Sequence, residues 1–385
     1  MLEVDFCGIQ FRNPLLLAPG PFSDEMRWMV RFVEAGIGGV VLKSAVSDSL
    51  SHMRRWPRPR YRLPFGLIRN FVLYSFEQAF RGETEDYLKL IRESKTLGVP
   101  IIASLLAAEM EEWIDLGLRI QEAGADGLEL DISCPHTSGD TYAAEFRTYV
   151  EVTLKLSEVL SIPVIPKLKP TMDNGALAAE LERAGAKAIT ACNRLTGIDV
   201  DLALMRPVMH GSYAGFGGPW SKFLIFKHVM EVRRATSLQI SASGGVTSAE
   251  DVLKYIALGA STVQVLSAFM LKGVKLVSEI LNDLRRLMGE MDIRDLKEIR
   301  GMAAWNFIPP DEVERDRPLK FKVDVERCTG CGRCPTVCRY DAISISDKKA
   351  FISAEMCDGC GLCAEVCPAG CISAEEVIGC DPGRL

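Results

Sequence analysis

Ten of the thirteen cysteines lie between Cys328 and Cys380, near the end of the 385-residue chain. Eight of these form two runs in which successive cysteines are separated by two, two and three residues. The first run is Cys328, Cys331, Cys334 and Cys338, and the second is Cys357, Cys360, Cys363 and Cys367. Three thiolates on one tight loop can supply three corners of an iron–sulfur cubane, and the fourth then binds the other cluster. The spacing therefore predicts two [4Fe–4S] clusters.

The spacing is that of bacterial two-cluster ferredoxins, in which the ligands cross between the runs. One cluster is expected to bind Cys328, Cys331, Cys334 and Cys367, and the other Cys357, Cys360, Cys363 and Cys338. Pairs of cysteines two residues apart also occur in four-thiolate zinc sites, so zinc is the alternative. Arg339 stands where the pattern prefers proline, which is not a ligand. Cys371 and Cys380 fall outside the pattern and are expected to be packing or surface thiols.

Composition and charge indicate the partners and the cell compartment of this protein. The formal net charge of −6 argues against nucleic acid as a partner, because nucleic-acid-binding proteins concentrate positive charge on one surface. The first residues lack the basic start and apolar run of a signal peptide, and no apolar stretch reaches the length of a membrane span. Secreted disulfide proteins do not crowd their cysteines into one tail of a large chain. We therefore expect a cytoplasmic protein with no membrane span.

Eight short apolar runs between Leu15 and Leu266 are typical of buried parallel strands, and amphipathic segments separate most of them. The runs are Leu15–Ala18, Gly39–Lys43, Pro100–Ser104, Gly127–Ile132, Pro163–Leu168, Ala188–Cys192, Leu238–Ser243 and Thr262–Leu266. Alternating strands and helices predict an α/β fold with a parallel sheet. Eight strands favour a closed (β/α)8 TIM barrel, with an open doubly wound sheet as the alternative. Alternating apolar residues from Val4 to Phe11 predict a hairpin that closes the bottom of the barrel.

The chain is expected to divide into two domains and a linker. Residues 1–302 form the barrel, residues 303–319 the linker, and residues 320–385 a small α+β ferredoxin domain. The boundary rests on the charged stretch Arg285–Leu319, which contains Ile308-Pro309-Pro310 and predicts a helix followed by a linker.

Polar residues and glycines follow the predicted strands at their carboxyl ends, where TIM barrels build active sites. They are Lys43-Ser44, Ser104, Asp131, Lys167, Asn193, Ser243-Gly244-Gly245 and Ser267. Gly244-Gly245 and Leu266-Ser267 follow the last two strands and are candidates for a phosphate cradle, although a glycine pair can also be a plain tight turn. Lys43 and Lys167 either pair with carboxylates or face an anionic ligand such as reduced flavin.

Cys134 follows the fourth predicted strand in the polar segment Ser133-Cys134-Pro135-His136. A thiol in this position can donate a proton to a substrate carbon or accept one from it. A lone cysteine is more often a small buried hydrophobic residue, and that is the alternative here.

These motifs, in their order and spacing, resemble the dihydroorotate dehydrogenase family over residues 1–302. They are Lys43-Ser44, Ser133-Cys134-Pro135-His136, Lys167-Leu168-x-Pro170, Asn193, Gly217-Gly218, Gly244-Gly245 and Arg300-Gly301. The Ser-Cys-Pro-His tetrad and the cysteine-rich tail are similar to the dihydropyrimidine dehydrogenase branch. The resemblance implies an FMN- and iron–sulfur-dependent oxidoreductase that acts on the CH–CH group of a dihydropyrimidine- or dihydroorotate-like substrate.

The resemblance also implies roles for individual residues. FMN is expected to contact Ala18, Pro19, Gly20, Lys43, Ser44, Ser104, Asp131, Lys167, Asn193, Gly217, Gly218, Ser243, Gly244, Gly245, Leu266 and Ser267. The substrate is expected to contact Asn70, Asp131, His136, Asn193 and Arg194. Cys134, Lys43 and Lys167 are the implied catalytic residues, with the thiol exchanging a proton and the lysines at the polar edge of the flavin.

Three positions depart from the family pattern. Asp131 replaces an asparagine, and a carboxylate can only accept hydrogen bonds where an amide also donates. Arg194 replaces a small hydroxyl residue and adds a positive charge suited to a carboxylate or phosphate. The stretch Gly217–Trp220 lacks the Ser-Gly that follows the glycine pair in relatives. We conclude that the flavin site is kept and that the substrate site is altered.

A dinucleotide-binding Gly-x-Gly-x-x-Gly fingerprint does not follow any predicted strand. Direct NAD(P)H binding by this chain is therefore not expected. Electrons are expected to pass between the clusters and a redox partner, either an NAD(P)H-oxidising flavoprotein subunit or a ferredoxin. The chain is expected to form an oligomer. The alternatives are an electron-transfer subunit whose barrel does no substrate chemistry, and a reductase of a different unsaturated carboxylated substrate.

Overall fold

The computed structural model describes residues 2–55, 57–64, 66, 70–132, 142–312 and 320–374, except the side chains of residues 142–145. The chain divides into two compact units, Met1–Phe307 and Ile308–Leu385. Among the described residues, the helices are all too short or too polar to cross a membrane.

The first unit is built around eight parallel strands, which we number β1 to β8 in chain order. They are Leu15–Leu17, Gly39–Val41, Ile101–Leu106, Gly127–Leu130, Val164–Pro166, Ala188–Ala191, Gln239–Ser243 and Ala260–Val265. Hydrogen bonding places them in the order β5-β4-β3-β2-β1-β8-β7-β6. The Leu168 amide donates to the Thr190 carbonyl at 2.9 Å, which brings the ends of β5 and β6 together. The predicted (β/α)8 barrel is confirmed, and each predicted apolar run overlaps one strand.

An antiparallel hairpin of Val4–Phe6 and Ile9–Phe11 precedes β1. Phe6 and Phe11 are buried and pack against Leu16, Val41 and Ile102 from three barrel strands. The alternating apolar residues thus put one face of the hairpin against the amino-terminal end of the barrel, as predicted.

Helices connect the strands and bury their apolar faces against them. They are Met26–Glu34, Thr84–Ser94, Met110–Glu122, Tyr142–Val159, Asn174–Arg183, Lys222–Ala235, Ala249–Ala257, Ser267–Lys272, Lys275–Glu290, Leu296–Ile299 and Met302–Trp305. Short 3₁₀ helices are Asp48–Arg55, Lys95–Leu97, Pro219–Ser221 and Pro310–Glu312. In Met110–Glu122 the residues Trp113, Leu116 and Ile120 recur at helical spacing and are buried, which explains why this segment is a helix.

A second, antiparallel sheet is inserted after β2 and β6, and the sequence analysis did not predict it. Its strands are Leu195–Gly197, Ala214–Gly217, Leu73–Phe76 and Arg60–Arg62, in that spatial order. A smaller ladder pairs Val200–Asp201 with Arg206–Pro207, and Ala45–Val46 pairs with the end of β3. Because these insertions follow the carboxyl ends of barrel strands, they bring side chains to the end of the barrel where TIM barrels bind ligands.

The second unit is a small α+β fold with two similar halves. Its two antiparallel ladders join Phe321–Val323 to Ile372–Ala374 and Ile343–Ser346 to Lys349–Ile352. Each half contributes one short helix, Arg333–Val337 or Leu362–Glu365. The predicted ferredoxin-like architecture is confirmed over the described residues.

Candidate active site

Two neighbouring clefts open at the carboxyl ends of the barrel strands. The larger has a volume of about 850 Å³ and the smaller about 580 Å³. Both clefts are lined by residues that follow several of the strands, namely Pro19, Glu77, Lys167, Asn193 and Arg194. The shared residues make the two clefts parts of one site.

Most of the residues assigned to FMN from the sequence line the larger cleft. They are Ala18, Pro19, Lys167, Asn193, Gly217, Gly218, Ser243, Gly244, Gly245, Leu266 and Ser267. The structure therefore brings together residues that are as much as 249 positions apart in the chain.

The glycines of this cleft line it with backbone in place of side chains. Gly245 has φ of +68°, and a Cβ atom there would lie 2.7 Å from the Lys222 amide nitrogen. The Tyr255 hydroxyl donates to the Gly244 carbonyl at 2.6 Å and fixes the turn. At Gly217 a Cβ would have no described atom within 4 Å, so this position opens into the cleft. Backbone without side chains is what a phosphate needs in order to approach N–H groups closely.

In the smaller cleft, a chain of hydrogen bonds fixes Asp131. Its Oδ2 atom accepts from the Ser44 hydroxyl at 2.8 Å, and its Oδ1 atom accepts from the Asn193 amide at 2.9 Å. The Arg194 backbone N–H donates to Asn193 Oδ1 at 2.9 Å, so the orientation of this amide is also set. Asp131 can offer only acceptor atoms to a ligand, which suits an N–H group.

Ser104 lies elsewhere than the sequence indicated. It was expected at the end of the third strand, but β3 continues through Leu105 and Leu106, so Ser104 lies inside the strand and is fully buried. The strand continues because Ala45–Val46 pairs with its last residues. The Ser104 hydroxyl is 2.9 Å from that of Ser44 and therefore supports the residue that binds Asp131.

Lys167 forms a buried ion pair inside the barrel. Its Nζ atom is 3.1 Å from Glu129 Oε1, and Glu129 is fully buried on β4. The other carboxylate oxygen accepts from the Thr190 hydroxyl and the Gln264 amide, both at 2.8 Å. Glu129 thus partly neutralises the charge of Lys167 inside the barrel, and Lys167 also lines both clefts.

Lys43 also has a carboxylate partner, Glu77. The Lys43 Nζ atom is 3.2 Å from Glu77 Oε2, and Arg194 Nη1 is 3.2 Å from Glu77 Oε1. Burial opposes the ionisation of Glu77, but the charges of Arg194 and Lys43 outweigh it and hold its pKa at about 2. Glu77 is therefore ionised throughout the physiological pH range.

The remaining predicted site residues are placed as follows. Asn70 is exposed and lines neither cleft, so the structure does not bring it to the other predicted substrate residues. Gly20 packs against Leu266, where a Cβ atom would lie 2.5 Å from Cδ2. Cys134 and His136 lie outside the described residues.

Sequence reasoning missed three residues of the site: Glu77, Glu129 and Gln264. Glu129 and Gln264 lie within strands whose apolar character hides single polar residues. Glu77 follows an inserted strand that carries no barrel pattern. A polar residue within a nearly continuous apolar run was the available signal, because such a residue needs a buried partner.

The second unit contains two cavities that cysteines surround. One is lined by Cys328, Cys331, Cys334 and Cys367, and the other by Cys357, Cys360, Cys363 and Cys338. Each cavity thus collects three cysteines from one run and the last cysteine of the other run.

Cys371 lies in the first of these cavities as a fifth thiol. It is 4% exposed, and its Sγ atom is 3.4 Å from that of Cys367. In the repeat, Ala342 occupies the corresponding position of the other half, four residues after Cys338. Cys380 lies outside the described residues.

Comparison with known proteins agrees with this geometry. The dihydroorotate dehydrogenase family model matches residues 1–288, and the 4Fe-4S dicluster domain model matches residues 321–374. The chain belongs to the dihydroorotate dehydrogenase family. It is therefore an oxidoreductase, and the predicted cofactors, FMN and two [4Fe–4S] clusters, are confirmed.

Two relatives illustrate where this chain stands within the family. It is 28% identical over 360 residues to the NAD-dependent dihydropyrimidine dehydrogenase subunit PreA of Escherichia coli K12, which covers 88% of this chain and 85% of the relative. It is 31% identical over 319 residues to the catalytic subunit of dihydroorotate dehydrogenase B (NAD(+)) of Pyrococcus abyssi, which covers 79% of this chain and 99% of the relative.

The residues present fit the two kinds of cofactor. The larger cleft offers the glycine backbone of Gly244 and Gly245, and the ammonium of Lys167. These groups suit a phosphate and an anionic ring system. Each cavity of the second unit contains the four thiols of one predicted ligand set, which match the ligand number of a cubane.

Proposed function

We propose that this chain interconverts a carbon–carbon single bond and double bond in a dihydropyrimidine- or dihydroorotate-like ring, and exchanges the electrons with a partner protein through its two clusters. The observation that carries the proposal is the joined pair of clefts. One presents a glycine cradle with Lys167, and the other presents Asp131 and Asn193. A cofactor cleft that opens on a separate polar cleft is the arrangement that a ternary complex of protein, flavin and substrate requires.

FMN, when bound, supplies hydride transfer to or from one ring carbon. Gly244, Gly245 and Ser267 would hold its phosphate, and Lys43 and Lys167 would place positive charge at its polar edge. Asp131 would accept a hydrogen bond from a ring N–H, because both of its oxygens are acceptors already oriented by Ser44 and Asn193.

Cys134 would exchange the proton at the neighbouring ring carbon, as the acid in reduction and the base in oxidation. This role rests on the Ser133-Cys134-Pro135-His136 tetrad, which begins two residues after Asp131. The eight paired cysteines would hold the clusters as the two cavities group them.

The partner is proposed to be an NAD(P)H-oxidising flavoprotein subunit or a ferredoxin. The names of these two relatives describe NAD-linked enzymes in which the similar chain is one subunit. This chain has no dinucleotide fingerprint of its own. We therefore propose that it works in the cytoplasm within an oligomer that includes the partner.

Replacing Cys134 tests the proposed proton transfer. Cys134→Ala should slow reoxidation of the reduced flavin by substrate about 10²- to 10⁴-fold, the usual contribution of general acid–base catalysis. FMN and iron contents should remain unchanged. Cys7→Ala is the matched control, because Cys7 lies in the hairpin at the opposite end of the barrel.

Unchanged reoxidation in the Cys134 variant would remove the thiol from the mechanism. If no member of a panel of unsaturated rings and acids reoxidises the flavin of the native protein, the barrel serves only to carry electrons.

A further inference from the structure

Glu77 lies between two cations at the boundary of the two clefts. It is 5% exposed, and its two carboxylate oxygens contact different partners, Lys43 on one side and Arg194 on the other. Two positive side chains therefore share one carboxylate. Glu77 can therefore balance only one of these two charges at the point where the cofactor cleft meets the substrate cleft.

Arg194 has further hydrogen-bond donors that Glu77 does not use. Its Nη1 atom donates to Ser75 Oγ and to Glu77 Oε1. Within the part of the chain that the structure describes, Nη2 and Nε have no hydrogen-bond partner, and the side chain is 32% exposed. Arg194 thus keeps Nη2 and Nε as donors that no described residue uses, and it lines both clefts.

The guanidinium lies flat on the backbone of the inserted sheet. A Cβ atom at Gly215 would lie 2.7 Å from Arg194 Cζ and 3.0 Å from both Nη1 and Nη2. Gly215 pairs with Ser75 in the sheet, so the strand that leaves room for the guanidinium adjoins the strand that binds it. These contacts fix the plane of the arginine before any ligand binds, which lowers the entropic cost of using it.

We propose that Arg194, oriented by Glu77, Ser75 and Gly215, binds a carboxylate of the substrate, so that the enzyme prefers a carboxylated ring over the same ring without the carboxylate. A planar guanidinium with two available donors matches a carboxylate in two parallel hydrogen bonds. Glu77 is a positioning residue in this arrangement and Arg194 is a specificity-determining residue. The inference rests on the proposed function and names the substrate class within it.

The test compares orotate with uracil, two rings that differ by one carboxylate. The full chain is reconstituted anaerobically with FMN and iron–sulfur clusters. Ligand affinity is read from the perturbation of the flavin absorbance, and reoxidation of the reduced flavin is followed separately. The variants are Arg194→Gln, Arg194→Lys, Gly215→Ala and Glu77→Gln. Arg62→Gln is the control, because Arg62 lies on the same sheet and pairs with Asp199 at 2.6 Å.

We expect the native protein to bind orotate more tightly than uracil. Arg194→Gln should weaken orotate binding about 10- to 100-fold, the effect of losing charge-assisted hydrogen bonds, and change uracil binding less than about twofold. Arg194→Lys should restore only part of the affinity, since an ammonium cannot form the parallel pair. Gly215→Ala should reproduce the loss while the arginine is retained. Glu77→Gln should raise the KM for orotate more than it lowers kcat.

Equal losses for orotate and uracil in Arg194→Gln would overturn the inference, and so would no loss for either. Native protein that is reoxidised by uracil but not by orotate would overturn it while leaving the proposed function intact. Native protein that responds to neither ring would overturn both. FMN content and thermal unfolding of each variant show whether a loss of binding comes from a loss of fold.

Discussion

The cluster unit is the second unit, Ile308–Leu385, and the barrel mouth is the pair of clefts at the carboxyl ends of the barrel strands. The two regions position their functional residues in different ways. In the cluster unit, all eight predicted ligands lie within 40 consecutive residues, from Cys328 to Cys367, and the two cavities group them as the spacing indicated. In the barrel mouth, Glu77 and Arg194 are in contact although they are 117 positions apart. Local spacing therefore determines the first site, whereas packing of distant segments determines the second.

This difference has a physical reason. A tight loop of cysteines can supply three ligands of a cubane by itself, so a short segment of sequence is enough to predict the cluster. A buried carboxylate such as Glu77 needs partners that only the folded chain supplies. We therefore expect changes in the cluster unit to act on one cofactor at a time, and changes in the mouth to act on stability and binding together.

The largest expected effect separates a cluster ligand from a neighbouring thiol. Cys331→Ala should lower the iron content from about eight to about four atoms per chain, because one cubane loses a ligand. Cys371→Ala should leave about eight, although Cys371 lines the same cavity. Iron analysis and absorbance after anaerobic reconstitution measure both. Loss of four irons in the Cys371 variant would show that spacing alone does not define the ligands.

The next effect concerns the buried pair inside the barrel. Glu129→Gln leaves the Lys167 ammonium without its carboxylate at a buried position, which should lower the free energy of unfolding by about 3–5 kcal/mol. Glu290→Gln is the control, because Glu290 pairs with Arg286 at an exposed surface and should change stability by less than about 1 kcal/mol. Urea unfolding of both variants measures the difference. Equal losses would contradict the assigned role of burial.

A third prediction uses the pH dependence of Glu77. Its pKa falls from the ordinary 4.5 to about 2, despite burial, because of Arg194 and Lys43. A carboxyl group whose pKa is lower in the folded protein stabilises the fold above its unfolded pKa, and that stabilisation is lost as the pH falls from about 4.5 toward 2. At neutral pH the contribution is about 3 kcal/mol.

Unfolding of the native protein and of Glu77→Gln should therefore differ most above pH 5 and converge as the pH falls toward 2. Tryptophan fluorescence is the readout, because the five tryptophans all lie between residues 28 and 305, in the barrel unit. A difference that is constant across this range would contradict an ionised Glu77.

The smallest expected effect distinguishes two glycines of the phosphate cradle. Gly245→Ala introduces a side chain at φ of +68° and close to the Lys222 backbone, so it should lower stability by about 1–3 kcal/mol and weaken FMN binding. Gly217→Ala meets no described atom within 4 Å and should weaken FMN binding alone. Thermal unfolding of the FMN-free protein and fluorescence titration with FMN separate the two effects. A loss of stability in Gly217→Ala would disprove that this position faces open space.

Much of the fold could be predicted from the sequence. Buried parallel strands leave nearly continuous apolar runs, so all eight barrel strands could be located. The inserted sheet could not, because Arg60–Arg62 is exposed at every position and Ala214–Gly217 contains two glycines, which is the composition of a loop. These strands form because their neighbours pair with them, a tertiary effect that short-range patterns do not contain.

Site residues could be predicted where a sequence pattern marked them. Gly244-Gly245 and Lys167 follow barrel strands and could be assigned to the mouth. The charge of Arg194 was evident in the sequence, but its partner Glu77 was not, because no periodicity links residue 77 to residue 194. The assignment of Ser104 to a strand end was wrong, because the length of β3 depends on its pairing with Ala45–Val46.

Electron transfer between the clusters and a substrate ring through the barrel is the central claim of this account. The most direct measurement reduces the reconstituted protein with dithionite, removes the excess reductant, adds orotate or uracil, and follows the reduced clusters by electron paramagnetic resonance. We expect the cluster signal to disappear on addition of the ring in FMN-loaded protein and to persist in FMN-free protein. A cluster signal that persists while the bound flavin becomes oxidised would contradict this claim.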